Sequence, residues 1–158
     1  VGHIVEDNKT NFDLAVEANA CTVVFDAMKL HGTSDEFVAF GVVFALAKLV
    51  QHDAFFAATD YFARAGVVPL LGQLFERLRR CEEPSVLVRA AAATESVLAA
   101  WPAAVEEAAA HDFEARLSAV ALARMTEVPL HAAIYRVMRQ LGVDDPAADH
   151  PHLQVAGS

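Results

Sequence analysis

The side chains that could do chemistry are few and scattered. Cys21 and Cys81 are the only two thiols in 158 residues, and Asn19 precedes the first of them in "EANACTVVFDAM" (17–28). Histidine meets a carboxylate at His52-Asp53, at His111-Asp112 and in "DHPH" (149–152), and carboxylates adjoin at Glu82-Glu83 and Glu106-Glu107. A reactive thiol needs an accessible, electropositive setting. Cys21 sits in an apolar run and is expected to be an inert core residue. Cys81 follows Arg79 and Arg80 in the loop "CEEPS", where an exposed and somewhat activated thiol is expected, though not a functional one. Adjacent carboxylates do not face each other on a helix, so both pairs read as solvated surface. Two histidines on a loose tail hold a divalent ion only weakly. There is no glycine-rich phosphate loop, no nucleophile elbow and no supported Ser-His-Asp order. No catalytic residue, metal site or cofactor is therefore expected, and a helical enzyme with an unrecognised site is the least favoured reading.

Composition says what must position such residues. The chain is 55% hydrophobic with only 7 Gly and 6 Pro, and alanine is abundant, which is how helical proteins are built. A net charge of −9 argues against phosphate-backbone recognition of nucleic acid and against docking on anionic membranes, and leaves protein partners. Charges interrupt every apolar run before it reaches membrane-spanning length. With two distant cysteines and no need of a disulfide, reduced thiols and an intracellular, cytoplasmic setting are expected.

Helical period runs from Asn8 to Leu141. Residues 34–52 place Val38, Val42, Ala45, Leu46 and Leu49 on one face; Gly32 breaks the helix before them, and Ser34 or Asp35 supplies the N-cap. Residues 66–80 form a helix with Pro69 in its first turn and a basic end. Helices are also expected over 86–100, from Pro102, over 111–125 and over 127–142, with a loose tail from 143. The fold class is all-α.

Three stretches align: "EANACTVVFDAM" (17–28), "RAGVVPLLGQLF" (64–75) and "AAHDFEARLSAV" (109–120). Asn19 falls on Gly66 and His111, Cys21 on Val68 and Phe113, Thr22 on Pro69 and Glu114, and Val24 or Phe25 on Leu71 and Leu117. The long helices also correspond, with Val38, Val42, Ala45, Leu46 and Leu49 falling on Leu130, Ile134, Val137, Met138 and Leu141. The spacing of roughly 46 residues lies in the range of armadillo and HEAT units, and a short, a middle and a long helix per unit favours the armadillo form. In "FARAGVVPLLGQL" (62–74) and "DNKTNFDLAVEANACTVVFDAMKLHGTSDEF" (7–37) the chain resembles the armadillo-repeat family. The last copy departs most, since "HDFEARLSAV" has neither Gly nor Pro.

The resemblance implies a right-handed superhelical stack of about three three-helix repeats, an α-solenoid. Residues 1–6, where "VGHIV" reads as the last turn of a long helix, would end a preceding repeat, and the chain would be the C-terminal end of a longer solenoid. Residues 7–52 and 53–100 would be full repeats, 101–142 a degenerate or capping repeat, and 143–158 a flexible tail. The long third helices would line a groove through Phe44, Lys48, Ala92, Ser96, Arg136 and Gln140. The repeated Trp and Asn with which the family's nuclear-import adaptors line that groove are absent, which argues against a receptor for nuclear-localisation signals. The implied function is a non-catalytic scaffold that binds a peptide or helix of a protein partner, with no small-molecule substrate, in the manner of cytoskeletal, ciliary or trafficking adaptors. The alternative is a structural segment of a larger protein, packed on its own neighbouring domains.

Overall fold

The computed structural model describes residues 9–32, 34–51 and 57–153. His52-Asp53 and the "VGHIV" stretch lie outside the described residues. Ten helices occur among the described residues, and no strand. They are α1 (Lys9–Glu17), α2 (Ala20–His31), α3 (Glu36–Gln51), α4 (Ala57–Arg64), α5 (Val67–Leu78), α6 (Ser85–Ala100), α7 (Pro102–Ala110), α8 (Phe113–Ala123), α9 (Val128–Gln140) and α10 (Pro146–Asp149). None of them is long and apolar enough to cross a membrane.

Local chemistry sets the boundaries. The Asp35 carboxylate accepts from the amides of Phe37 (2.8 Å) and Val38 (3.1 Å) and so caps α3. Ser34 instead donates its hydroxyl to the His31 carbonyl at the end of α2. Pro102 opens α7, and Pro129 lies in the first turn of α9, where a missing amide costs nothing.

The junctions before α2, α5 and α8 share one backbone feature. Asn19 (φ 60°), Gly66 (φ 80°) and Asp112 (φ 52°) are left-handed. Each junction is two residues long and turns through this one left-handed residue, and Gly, Asn and Asp are the types that enter that conformation at least cost. The expected alignment of His111 with Gly66 is thus corrected by one residue: His111 ends α7 with φ −111°, and Asp112 takes the left-handed place. In the corrected register Phe113 falls on Val67 and Ala20, all buried, while Cys21 and Val68 fall on the exposed Glu114. Leu117 falls on Leu71 and Val24, not on Phe25.

Helix pairs then pack in a regular order. The long helix α6 lies between α3 and α9, and α5 packs between α2 and α8. The core runs through Leu46 and Leu49 of α3, Leu71 and Phe75 of α5, Leu87 and Val97 of α6, and Ile134 and Met138 of α9, all fully buried. Phe75 meets Phe113 edge-to-face at 5.9 Å, a favoured arrangement that joins α5 to α8. At the same crossing a side chain on Gly72 would meet the Phe113 ring at 3.2 Å and Arg116 Cδ at 3.3 Å, so the approach depends on a small residue. The alanines of α6 do similar work: Ala90, Ala91 and Ala93 are buried where α3 and α9 come close on either side.

Residues 143–153 correct the expectation of a loose tail. Gly142 (φ 89°) ends α9 in a left-handed turn, with the Val143 amide donating to the Met138 carbonyl and the Gly142 amide to that of Arg139 (both 3.1 Å). The chain turns back, Asp145 caps α10 through the amides of Ala147 and Ala148, and Pro146 and Leu153 are buried. Periodicity misses such a segment because its contacts come from single residues, not from a helix face.

Replacing Gly66 by Ala is expected to cost about 1 kcal/mol, since a Cβ is forced into a left-handed backbone, whereas Asn19→Gly is expected to cost nothing measurable. Urea unfolding of the two variants checks this, and equal losses at both sites would refute the shared role.

Candidate interaction surface

The six groove residues expected from the sequence lie on three neighbouring helices. Phe44 and Lys48 belong to α3, Ala92 and Ser96 to α6, and Arg136 and Gln140 to α9. Ala92, Ser96, Arg136 and Gln140 are exposed, and Phe44 is half-buried. Lys48 is the exception to the expected solvent-facing strip, being only 8% exposed. Position 48 lies next to the buried Leu49 and Val50, and a lysine's long aliphatic stem packs readily in such a place.

Two side chains that the sequence reading missed tie this strip together. The Arg89 guanidinium of α6 lies over the Phe44 ring at 5.1 Å, a cation–π contact between α6 and α3. Glu95 of α6 accepts from Arg136 Nε of α9 at 3.0 Å. Both pairs are partly solvated, so each contributes at most about 1 kcal/mol, and their effect is to align neighbouring helices. Residues 89, 92 and 96 recur at three and four along α6, a spacing that marks them as one face. The missing signal was therefore present, but it needed the partner helix to become legible.

Small residues leave the middle of the strip low. Ser96 donates to its own helix, to the Ala92 carbonyl at 3.1 Å, and adds no bulk. A cleft of about 760 Å³ opens beside the end of α6, lined by Gln51, Thr59, Asp60, Ser96, Ala99 and Trp101 among others. A second of about 490 Å³ lies between the starts of α6 and α9, lined by Glu83, Ser85, Val88, Arg89, Glu127 and Pro129 among others. On α3 the strip continues into Phe40 (40% exposed) and Phe37 (88% exposed), one helical face with Phe44.

The charge on these helices differs from that of the chain. α3, α6 and α9 together carry the basic Lys48, Arg89, Arg136 and Arg139 against the acidic Glu36 and Glu95. The whole chain carries 12 basic and 21 acidic residues. The acidic excess is therefore carried outside these three helices, though Asp60, Glu83 and Glu127 line the clefts at the edges of the strip.

The other candidates resolve as structure. Both cysteines are buried. Cys81 is not the exposed, activated thiol expected of a loop: burial raises its pKa above the usual thiol range, against the opposing pull of Arg124 and of the hydrogen bond that its Sγ donates to the Glu83 carbonyl at 3.3 Å. Arg79 and Arg80 do not activate it because the loop turns Sγ inward. Arg124 donates to the carbonyls of Arg79 (2.8 Å) and Cys81, closing the end of α5. The fully buried His131 donates from Nε2 to the carbonyls of Arg124 (2.9 Å) and Ala121 (3.1 Å), closing the end of α8. Among the described residues no group of three or more His, Cys, Asp or Glu is placed to hold a metal ion. No family model, curated protein or solved structure matches the chain. Its class is that of an all-helical protein with an exposed strip on its long helices, and the site alone carries the functional argument.

Two outcomes are expected. Arg124→Met leaves the carbonyls of Arg79 and Cys81 without their donor and is expected to lower stability by about 2 kcal/mol in urea unfolding. Cys81, with its pKa raised on folding, adds stability that is present below the unfolded thiol value of about 8.5 and is lost as pH rises through the folded value. Wild type is thus expected to lose more stability than Cys81→Ala between about pH 8 and pH 10, and equal pH slopes would refute this.

Proposed function

We propose that the protein is a non-catalytic interaction scaffold built from about three armadillo-like three-helix repeats, which binds an acidic segment of another protein along the strip formed by α3, α6 and α9. The repeat reading is supported by the left-handed residues Asn19, Gly66 and Asp112 before α2, α5 and α8, and by the packing of α6 between α3 and α9. The single observation that carries the binding reading is charge: α3, α6 and α9 hold four basic residues against two carboxylates, on a chain of net charge −9. Such complementarity steers encounter with an acidic partner. Phe37, Phe40 and Phe44 offer apolar purchase beside it.

A second reading is a structural segment of a larger protein that packs on neighbouring domains. It is favoured by the exposure of Leu14 (57%), Val23 (59%) and Leu30 (68%) on α1 and α2.

Synthetic acidic peptides carrying an aromatic residue, and their lysine-substituted counterparts, are to be titrated against the protein. The acidic set is expected to bind and the basic set not. Ala92→Arg fills the low part of the strip, and Arg136→Glu reverses its charge. Each is expected to weaken the acidic peptides by roughly tenfold or more without loss of helical signal. Binding unchanged by both variants would refute the strip as the site.

A further inference from the structure

Glu114 and Ser118 stand four residues apart on α8 and so share one face of it. The returning segment lays two histidines on that face. Ser118 Oγ is 3.1 Å from His150 Nδ1 and 3.1 Å from His152 Nε2, and His150 Nε2 is 2.8 Å from Glu114 Oε1. His152 Nε2 is also 3.1 Å from the Ser118 carbonyl oxygen.

One hydrogen arrangement satisfies every contact. His152 Nε2 donates to the Ser118 carbonyl and hydroxyl, the Ser118 hydroxyl donates to His150 Nδ1, and His150 Nε2 donates to Glu114. This is the order of an activated nucleophile: a hydroxyl, a base that can take its proton, and a carboxylate that fixes the tautomer of the base and stabilises its cation. Other hydroxyls of the chain differ. Ser34, Thr94 and Ser96 donate to the carbonyls of His31, Ala90 and Ala92, and a peptide carbonyl takes no proton from them.

The two rings are held by their surroundings. Pro146 and Leu153 are buried on either side of them in the chain, Asp145 caps α10, and Arg139 donates to the Val143 and Asp144 carbonyls. The His150 side chain is only 16% exposed, which shields its bonds from water, while Ser118 is half-buried and so still open to a reagent.

We propose that Ser118 is a site of covalent acylation, which takes an acyl group from an activated ester or thioester. Ser118 Oγ bonds to the acyl carbon as its proton passes to His150 Nδ1. The bond from that carbon to the leaving oxygen or sulfur breaks, and His150 returns the proton to the leaving phenolate or thiolate. Glu114 acts as a positioning residue through His150. The His152 Nε2 hydrogen is the donor beside Oγ for the carbonyl oxygen as it gains charge. One side-chain donor stabilises that charge modestly, so the donor must carry a good leaving group, and an amide does not qualify. The inference goes beyond the scaffold reading and does not rest on it, since α8 contributes no residue to the strip.

The test treats the full chain with an alkyl fluorophosphonate, which reacts with activated serines by loss of fluoride and leaves a stable adduct, and maps the adduct by peptide mass spectrometry. Wild type is expected to carry it at Ser118, and Ser118→Ala to carry none. His150→Ala is expected to slow labelling about a hundredfold, with added imidazole restoring part of the rate. Glu114→Gln is expected to slow it as well, and Glu114→Asp to recover part of the loss. p-Nitrophenyl acetate, an acyl donor proper, is expected to release p-nitrophenolate faster from wild type than from Ser118→Ala. No adduct at Ser118, an adduct spread over the other hydroxyls, a rate indifferent to His150→Ala, or equal p-nitrophenolate release from wild type and Ser118→Ala overturns the proposal. Should a variant lose helical signal, wild type in urea decides: labelling of Ser118 that survives unfolding overturns the proposal, and labelling lost on unfolding supports it.

Discussion

The structure depends on closing the ends of short helices inside a packed row. Every helix leaves its last carbonyls without intrahelical partners, and a chain with this many ends must supply donors where water is excluded. At the centre the supply is a relay. Arg124 from the end of α8 reaches back to the carbonyls that end α5, and His131 of α9 reaches back to the carbonyls that end α8, including that of Arg124 itself. The ends of α5 and α8 are thus each met by a side chain from further along the chain. Buried His131 fits this: an apolar side chain of its size would fill the volume but take a second donor from two carbonyls, leaving them only the amides of Arg124 and Glu127.

The same constraint fixes what reaches solvent. Once α5, α8 and α9 are locked end to end, the long helices have one face each for the core, and what remains of them lies on the strip. α6 has the decisive composition. Its alanines let α3 and α9 approach from both sides, and its few long side chains, Arg89 and Glu95, each cross to one neighbour. A bulkier α6 would hold the flanking helices further apart, since ridge-to-groove distance follows side-chain size. The strip's spacing is therefore a consequence of small residues in the core, and its charge a consequence of the few large residues outside it.

Much of this was legible in the sequence. The helical period of α3 and α9 identified Val42, Leu46, Ile134 and Met138 as core, and the kinship of Asn19 with Gly66 was visible because both types tolerate a left-handed backbone. The third junction was read one residue early because His111 and Asp112 are both polar, and nothing local says which turns the chain. Lys48 and Cys81 were misplaced for a different reason. A residue's type sets a prior on exposure, but its burial is decided by neighbours distant in sequence, as Arg124 lies beside Cys81. The tail was illegible on the same ground, because His150 and His152 acquire meaning only from Ser118.

That last case shows how a segment without helical period is held in place. Residues 143–153 pack back on α8 through single contacts. They give Ser118 and Glu114 their partners through two side chains, and α10 is too short to offer a helical face of its own. Histidine suits the task because a neutral imidazole both donates and accepts, so one residue bridges a hydroxyl and a carboxylate. The surface of this protein is shaped as much by this returning segment as by what lines its strip.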